Sequence, residues 1–560
     1  MIQNYEVDMR LNVKVPMRDG VELSADLYLP RAEGAFPTVL MRTPYSNNMD
    51  VIIERARVLA NDGYACVVQD IRGRWDSDGD YYPFHPDVDD GFDTQEWVGQ
   101  QGWSNGKIGM AGSSYLGLVQ WLSAPLRSQY LTCLAPRVIC GDFHNGLVYP
   151  GGALQLNVVM TWGMRTNGRT GQSIDYHDWT NAFRTLPVGD VDLLAGRSLG
   201  FFKDWIEHPA YDDYWNAIDV EDKWGEIDVP AFNMGGWFDL YSADAFTNFN
   251  GIRQHGRTPE ARRSKLIVGP WPHALSTSSK TGDVDFGAGS LADLNGEETR
   301  WFDYWLKGID NGILDEPPLR LFIMGINEWH DEHEWPLART DWQKWHLRSD
   351  GDANSVRGGG RLSVETSADE PADRFDYDPE FPVQTVGGNN CCSPDIVPWG
   401  PYDQRAVEMR SDVLVYTSAP FEADMEVTGP IKVILYAATD GPDTDWTAKL
   451  VDVSPTGYAM NLCDGIFRAR YRESRSEATL LEPNRVYEYE IDVAVTGNVF
   501  RRGHSVRIEI SSSNFPRFDR NLNTGNDYGK DGEIRVANQT VYHTREYPSH
   551  VLLPVIPHSP

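Results

Sequence analysis

The chain reads as a parallel α/β domain, interrupted by a block of helices and followed by an all-β sandwich. Three observations predict this. From residue 37 to about 140, short apolar strands alternate with amphipathic helices, the rhythm of a parallel sheet with crossover helices. From about 145 to 224 there are helical windows and no convincing strand, as expected of helices inserted between two sheet strands to cap a site. Beyond about 312 the helical signal gives way to short β-branched runs separated by Gly, Pro, Asn and Asp.

Residues 13–30 alternate apolar with polar on both sides of Asp19-Gly20 and read as a hairpin. Residues 37–43 form a buried strand ending at Pro44-Tyr45. A helix over 51–62 is stopped by Gly63, a strand follows over 64–69, and a second helix covers 93–98. The apolar run 108–111 then enters Gly112-Ser113-Ser114-Tyr115-Leu116-Gly117, after which Leu118, Val119, Trp121 and Leu122 recur at helical spacing. Sites in such sheets lie at the carboxyl ends of strands, where Tyr45, Asp70 and Ser114 fall. In the insertion, 201–206 and 211–218 are the clearest helices. The sheet resumes at 230–236 and 265–269. The β-runs 319–324, 413–417, 431–438, 448–453, 487–493 and 505–510 are assigned to the sandwich, and 349–400, rich in Gly, Asp and Pro, is expected to wander between strands or touch the first domain. The expected division is 1–144 and 226–312 for the α/β domain, 145–225 for the helical cap and 313–560 for the β domain.

A chain of 560 residues is too long for one core. With 50 basic and 82 acidic residues its net charge is −32, which repels nucleic acid and anionic membranes and otherwise serves solubility. Six cysteines (Cys66, Cys133, Cys140, Cys391, Cys392, Cys463) make no disulfide framework and show no zinc spacing. The first ten residues lack the basic start and apolar core of a signal peptide, and no apolar run is long enough to span a bilayer. Reduced thiols in a soluble, cytoplasmic protein are therefore expected.

Ser114 has the setting of a nucleophile: a serine on a tight strand-to-helix turn, with its hydroxyl proud of the sheet. Gly112 two residues earlier lets the chain turn, whereas Ser113 has Ala111 in that place. Leu116 stands where a second glycine is usual, and Gly117 comes one step later. A serine hydroxyl needs a base oriented by an acid. In such sheets these follow in the order Ser, Asp or Glu, His, and the resumed strands offer Asp239 in Gly-Gly-Trp-Phe-Asp and His273 in Gly-Pro-Trp-Pro-His. The other histidine of this stretch, His255, sits in a charged helical segment. For the oxyanion, one donor is the N–H of Tyr115, and the loop carrying Tyr45 behind Pro44 is the candidate for the second.

The Arg-Asp-Gly-Val hairpin, Thr43-Pro44-Tyr45, Asp70-Ile-Arg-Gly-Arg74 with Ser77 and Gly79, Gly-Ser-Ser-Tyr-Leu-Gly at 112–117, Gly-Trp-Phe-Asp at 236–239, Gly-Pro-Trp-Pro-His at 269–273 and Ser-Ser-Ser-Asn-Phe-Pro-Arg-Phe-Asp-Arg-Asn at 511–521 together resemble the cocaine-esterase-like (CocE/NonD) hydrolases. These are relatives of the X-prolyl dipeptidyl aminopeptidases and α-amino-acid ester hydrolases. The resemblance spans nearly the whole chain. It implies an α/β-hydrolase domain with a helical cap and a C-terminal β jelly roll. It also implies a Ser114, Asp239, His273 triad, with the Tyr45 hydroxyl and Tyr115 N–H as oxyanion donors. The family's Gly-x-Ser-Tyr-x-Gly elbow accounts for Leu116. In the α-amino-acid ester hydrolases, acidic residues two and three positions after the catalytic aspartate hold the substrate ammonium; here Tyr241 and Ser242 stand there. An apolar or aryl acyl pocket walled by Tyr241 and the cap residue Trp162 is the expectation.

The sequence thus predicts a serine hydrolase that cleaves carboxylic esters, and by extension amides, through an acyl-enzyme, with a small-molecule substrate and no cofactor. An X-prolyl peptidase or α-amino-acid ester hydrolase is the enzymatic alternative. A glycan-binding jelly-roll protein on a hydrolase-like scaffold is the non-enzymatic one. The sequence leaves the oligomeric state open, a homodimer included. Asp76-Ser-Asp-Gly-Asp80 begins like a calcium loop, but its glycine comes too early and no glutamate stands twelfth. His330-Asp-Glu-His333 is set aside as a solvated loop, and Cys391-Cys392 is read as two idle thiols in preference to a redox pair.

Overall fold

A computed structural model describes residues 4–366 and 369–557. Its first sheet has ten strands, in the spatial order Val7–Pro16, Glu22–Pro30, Ala65–Asp70, Phe36–Thr43, Ser104–Ser113, Leu131–Arg137, Phe232–Gly236, Lys265–Gly269, Leu319–Ile323, Glu328–Glu332. The opening hairpin is antiparallel, with Pro16 opposite Glu22 across the Asp19-Gly20 turn. From Ala65–Asp70 to Leu319–Ile323 every pairing is parallel. Parallel strands must be buried on both faces. Helices Asp50–Asn61 and Leu294–Lys307 cover one face through Ile52, Ala56, Leu59, Trp301, Phe302 and Leu306. On the other side lie Asp87–Gly99, with Asp87, Asp89 and Asp90 in its first turn where the helix dipole favours anions, and the wholly buried helix Tyr115–Ser123. The helix expected at 93–98 thus starts earlier, after Pro86.

Between Arg137 and Phe232 the chain forms the helical insertion, including Leu156–Thr166 and Gly200–Glu207. Among the described residues this stretch contributes no strand to the sheet.

The strand Leu319–Ile323 corrects the sequence reading, which gave it to the sandwich: it pairs in parallel with Lys265–Gly269, and the chain turns back as Glu328–Glu332 along the sheet edge. A short apolar run carries no information about its partner; Pro318, whose carbonyl accepts from the Leu266 N–H at 2.8 Å, starts the pairing. The His330–His333 segment is therefore mostly edge strand rather than loop.

Apart from the two-stranded ribbon Lys280–Thr281 and Val284–Asp285, the remaining strands of the described residues join one hydrogen-bonded network of eleven strands that folds over itself as a β sandwich. Strand Ala459–Arg468 crosses Tyr487–Phe500 so closely that a methyl group on Gly465 would lie 1.8 Å from the Asp492 carbonyl oxygen. The sandwich core (Val427, Leu435, Leu450, Ile491, Ile508, Val551) runs without a break into Trp237, Phe246, Leu266 and Phe322 of the α/β domain. This continuity brings the 387–400 segment of the β half over the ends of the central strands.

Candidate active site

Ser114 sits between strand Ser104–Ser113 and helix Tyr115–Ser123 with φ 57° and ψ −125°, a conformation that L residues rarely adopt. Its own N–H donates to the Arg137 carbonyl at 2.9 Å, which ties the elbow to the next strand. The two glycines have separate tasks. A Cβ on Gly112 (φ 139°) would lie 2.3 Å from Leu116 Cβ, and one on Gly117 would lie 2.5 Å from Ile139 and 3.0 Å from the Arg137 carbonyl. The helix approaches the neighbouring strand at residue 117, so that is where the second glycine is needed. The Tyr115 side chain anchors the turn: its hydroxyl donates to Asp87 Oδ2 at 2.6 Å and accepts from the Phe84 N–H at 3.0 Å. Its backbone N–H, first in the helix, has no carbonyl four residues back to bond.

Tyr45 follows the next strand over. Its loop is stapled by the Asp70–Arg74 motif: Asp70 Oδ1 accepts from the Asn47 N–H at 2.8 Å, and Arg74 Nε and Trp75 Nε1 both donate to the Pro44 carbonyl, at 2.9 and 3.0 Å. The Tyr45 hydroxyl accepts from Trp162 Nε1 at 3.0 Å and interacts with Ser114. Burial pushes this phenol's pKa up, so it stays protonated. Because Trp162 occupies an acceptor position, the Tyr45 proton is free to point toward the Ser114 side.

Asp239 and His273 follow the ends of the two resumed strands. These turns are laced together, since Trp237 N–H donates to the Gly269 carbonyl and Phe238 N–H to that of Trp271. Gly236 permits the approach: a Cβ there would lie 2.2 Å from the Trp271 carbonyl oxygen. His273 Nδ1 lies 2.7 Å from Oδ1 of the fully buried Asp239. An ionised carboxylate only accepts, so Nδ1 carries the proton and Nε2 presents its lone pair. Nε2 is buried and has no hydrogen-bond partner among the described residues.

Ser114, Tyr45, Trp162 and His273 line one cavity of about 810 Å³. Behind Ser114 an apolar recess is walled by Phe84, Leu118, Val159, Trp162, Tyr241 and the Cys391-Cys392 turn. Tyr241 is buried with its ring centroid 6.0 Å from that of His273. No carboxylate lines this recess among the described residues. The nearby acid Asp244 is buried beside Glu221 and Asp142, where desolvation and like charges push its pKa far up. The structure thus brings together all seven residues singled out in the sequence.

Sequence reasoning missed what the β half contributes. Asn389 Nδ2 lies 2.9 Å from the carbonyls of Trp237 and Asp239 and 3.1 Å from Ser242 Oγ, bracing the turn that carries Asp239. Arg165 Nη1 donates to the Cys392 carbonyl at 3.0 Å, joining the insertion to the same loop. The only signal was the expectation that 349–400 contacts the first domain. The expectation of six free thiols is corrected: Cys391 and Cys392 are joined by a disulfide, while Cys66, Cys133, Cys140 and Cys463 are free and buried. Adjacent cysteines on a left-handed turn (Cys392 φ 75°) give no loop spacing from which pairing could be read.

Residues 19–275 match the family model described as X-Pro dipeptidyl-peptidase (S15 family), and residues 311–552 match the X-Pro dipeptidyl-peptidase C-terminal non-catalytic domain. The chain is 36% identical to a cocaine esterase of Rhodococcus sp. (strain MB1 Bresler) over 581 aligned positions, covering 99% of each protein. Among solved structures it superposes on an aminopeptidase from a marine sediment archaeon, Thaumarchaeota archaeon (TM-score 0.85, 26% identity, 99% of this chain and 97% of that one). It superposes equally completely on an α-amino acid ester hydrolase (TM-score 0.83, 26% identity, 99% and 97%). Among the described residues, no helix is long and apolar enough to cross a membrane. An elbow serine at the head of a parallel sheet, with full-length similarity of this order, makes the chain a member of the CocE/NonD family of serine hydrolases, which act on ester and amide bonds through an acyl-enzyme.

Proposed function

We propose that Ser114 is the nucleophile, His273 the base and Asp239 its orienting acid, with the Tyr45 hydroxyl and the Tyr115 N–H receiving the oxyanion. The observation that carries this reading is the 2.7 Å contact between His273 Nδ1 and Asp239 Oδ1, in a cavity that Ser114 and Tyr45 also line. His273 Nε2 takes the hydroxyl proton as Ser114 attacks the carbonyl carbon. The C=O electron pair moves onto oxygen between the two donors, and its return expels the alcohol, protonated by His273. Water activated by the same nitrogen then releases the acid. The residues divide as 1–144 and 226–312 for the hydrolase domain, whose sheet Leu319–Ile323 and Glu328–Glu332 complete, 145–225 for a cap, and the rest of 313–560 for a jelly roll that also closes the acyl recess.

A phenol positioned by Trp162 is a donor fixed before reaction. Tyr45→Phe is expected to lower kcat by about 10²-fold with little change in KM. Steady-state kinetics checks this, and unchanged turnover removes Tyr45 from the mechanism.

The substrate is an ester whose acyl group is apolar or aryl and enters the recess beside Trp162 and Tyr241. The uncharged recess wall and the cocaine esterase similarity support this. Phenyl acetate and phenyl benzoate are expected to exceed phenylglycine methyl ester in kcat/KM by at least about 10-fold, since a free ammonium in the recess finds no counter-charge and loses hydration. A preference for the free-amine ester favours the α-amino-acid ester hydrolase or X-prolyl peptidase alternative.

A further inference from the structure

The Cys391-Cys392 turn has no part in the chemistry above, yet its sulfurs lie beside the proposed base. The two Sγ atoms and a ring nitrogen of His273 all lie within 4.8 Å of one another. Nδ1 is engaged by Asp239, which leaves Nε2, buried and without a partner among the described residues, as the available ligand atom. The turn is held from outside by contacts that do not involve sulfur. Arg165 grips the Cys392 carbonyl, Asn389 is tied to the 237–242 turn, and Asn390 Nδ2 donates to the carbonyls of Gly387 (2.9 Å) and Pro398 (3.1 Å). Opening the disulfide therefore leaves two thiols in the same place. Cys392 lines the large cavity, which gives a soluble reductant access to it.

We propose that the Cys391-Cys392 pair is a redox-gated site for a thiophilic divalent cation of the Zn²⁺ class, completed by His273 Nε2. In the oxidised form the sulfurs bond each other and wall the recess. A small-molecule dithiol or phosphine reductant supplies two electrons and, with water, two protons, giving two thiols. The cation then displaces both thiol protons and takes two thiolates and one imidazole. This is a soft S₂N set, with a fourth position open to water. Tetrahedral bonds of about 2.3 Å to sulfur and about 2.0 Å to nitrogen place ligand atoms roughly 3.5–3.8 Å apart, so side-chain rotation suffices to close the site. Metal and Ser114 then compete for the same lone pair, and hydrolysis stops. The inhibitory half rests on the proposed role of His273; the binding half does not.

The test uses the full chain in three forms: oxidised; reduced with a phosphine that is then removed without oxygen; and the Cys391→Ser, Cys392→Ser double variant treated alike. Zn²⁺ bound per chain is measured by equilibrium dialysis, and Co²⁺ is added separately to look for thiolate-to-cobalt charge transfer in the near ultraviolet. The reduced wild type is expected to bind one Zn²⁺, to show the cobalt band and to lose at least about 10-fold in turnover, restored by a chelator. The oxidised protein and the double variant show no band and no response of their own turnover to zinc. His273→Ala is expected to weaken cobalt binding at least about 10-fold; equal affinity removes His273 from the site. Reduced wild type that binds no more metal than the double variant overturns the proposal. Metal binding needs no hydrolysis, so full binding by a protein that cleaves no ester overturns the assigned chemistry of Ser114 and His273 instead.

Discussion

Replacing Ser114 by alanine is expected to lower kcat by about 10⁶-fold and to abolish labelling by a fluorophosphonate probe. Under the proposed mechanism the size follows from the way nucleophile and base act as a unit: once the oxygen is gone, His273 has no proton to take, and Asp239 orients a base with nothing to activate. What survives under that mechanism is attack by water on an ester still held between the proposed Tyr45 and Tyr115 donors, worth roughly 10³–10⁴ over the uncatalysed rate. The fold is indifferent to the change. The Ser114 side chain makes no capping hydrogen bond to its helix, and alanine meets the same backbone constraint at φ 57°. Thermal unfolding within about 2 °C of wild type, together with lost turnover, separates a chemical role from a structural one. If Ser114→Ala is labelled as fast as wild type, the nucleophile lies elsewhere, and Ser113 next to it is the first residue to test.

The elbow was legible because its constraints are local. Gly112 and Gly117 are demanded by contacts within five residues and by the adjacent strand, so the pattern survives in the sequence even with Leu116 in an unexpected place. Asp239 and His273 were legible for a related reason. Each stands just past an apolar run, and Gly236 and Gly269 mark where the two turns must approach Trp271. Partnership between distant strands was not legible: Leu319–Ile323 has the composition of a sandwich strand and joins the hydrolase sheet because its neighbour Lys265–Gly269 offers an open parallel edge. Polar interior strands such as Ala459–Arg468, with Asn461, Asp464 and Gly465 inside the fold, give no apolar alternation to detect. The Asn389 brace and the Cys391-Cys392 wall lie in a stretch without periodicity, and their importance comes from where the sandwich core carries them.

Asp239→Asn is the substitution that tests the geometry rather than the presence of the site, and a fall in kcat of about 10⁴-fold is expected with KM nearly unchanged. The carboxylate fixes the proton on His273 Nδ1 across 2.7 Å. An amide can turn either end to that nitrogen. With its NH₂ toward Nδ1, the imidazole must accept there, its proton moves to Nε2, and the lone pair that would take the Ser114 proton is gone. With its oxygen toward Nδ1 the tautomer is kept, but the NH₂ then occupies the place of Asp239 Oδ2, which is buried without a partner among the described residues, at a cost of roughly 1–3 kcal/mol for the unmet donor. That orientation also lacks the negative charge that stabilises the imidazolium formed during turnover. Both orientations impair the base while Ser114, Tyr45 and the recess stay in place, so the variant should bind substrate and acylate slowly. The turn itself does not depend on the carboxylate, since Asn389 holds the Trp237 and Asp239 carbonyls and the Phe238 N–H bonds Trp271. A variant that unfolds as wild type does and retains more than a tenth of its turnover would mean that His273 is oriented by something other than Asp239.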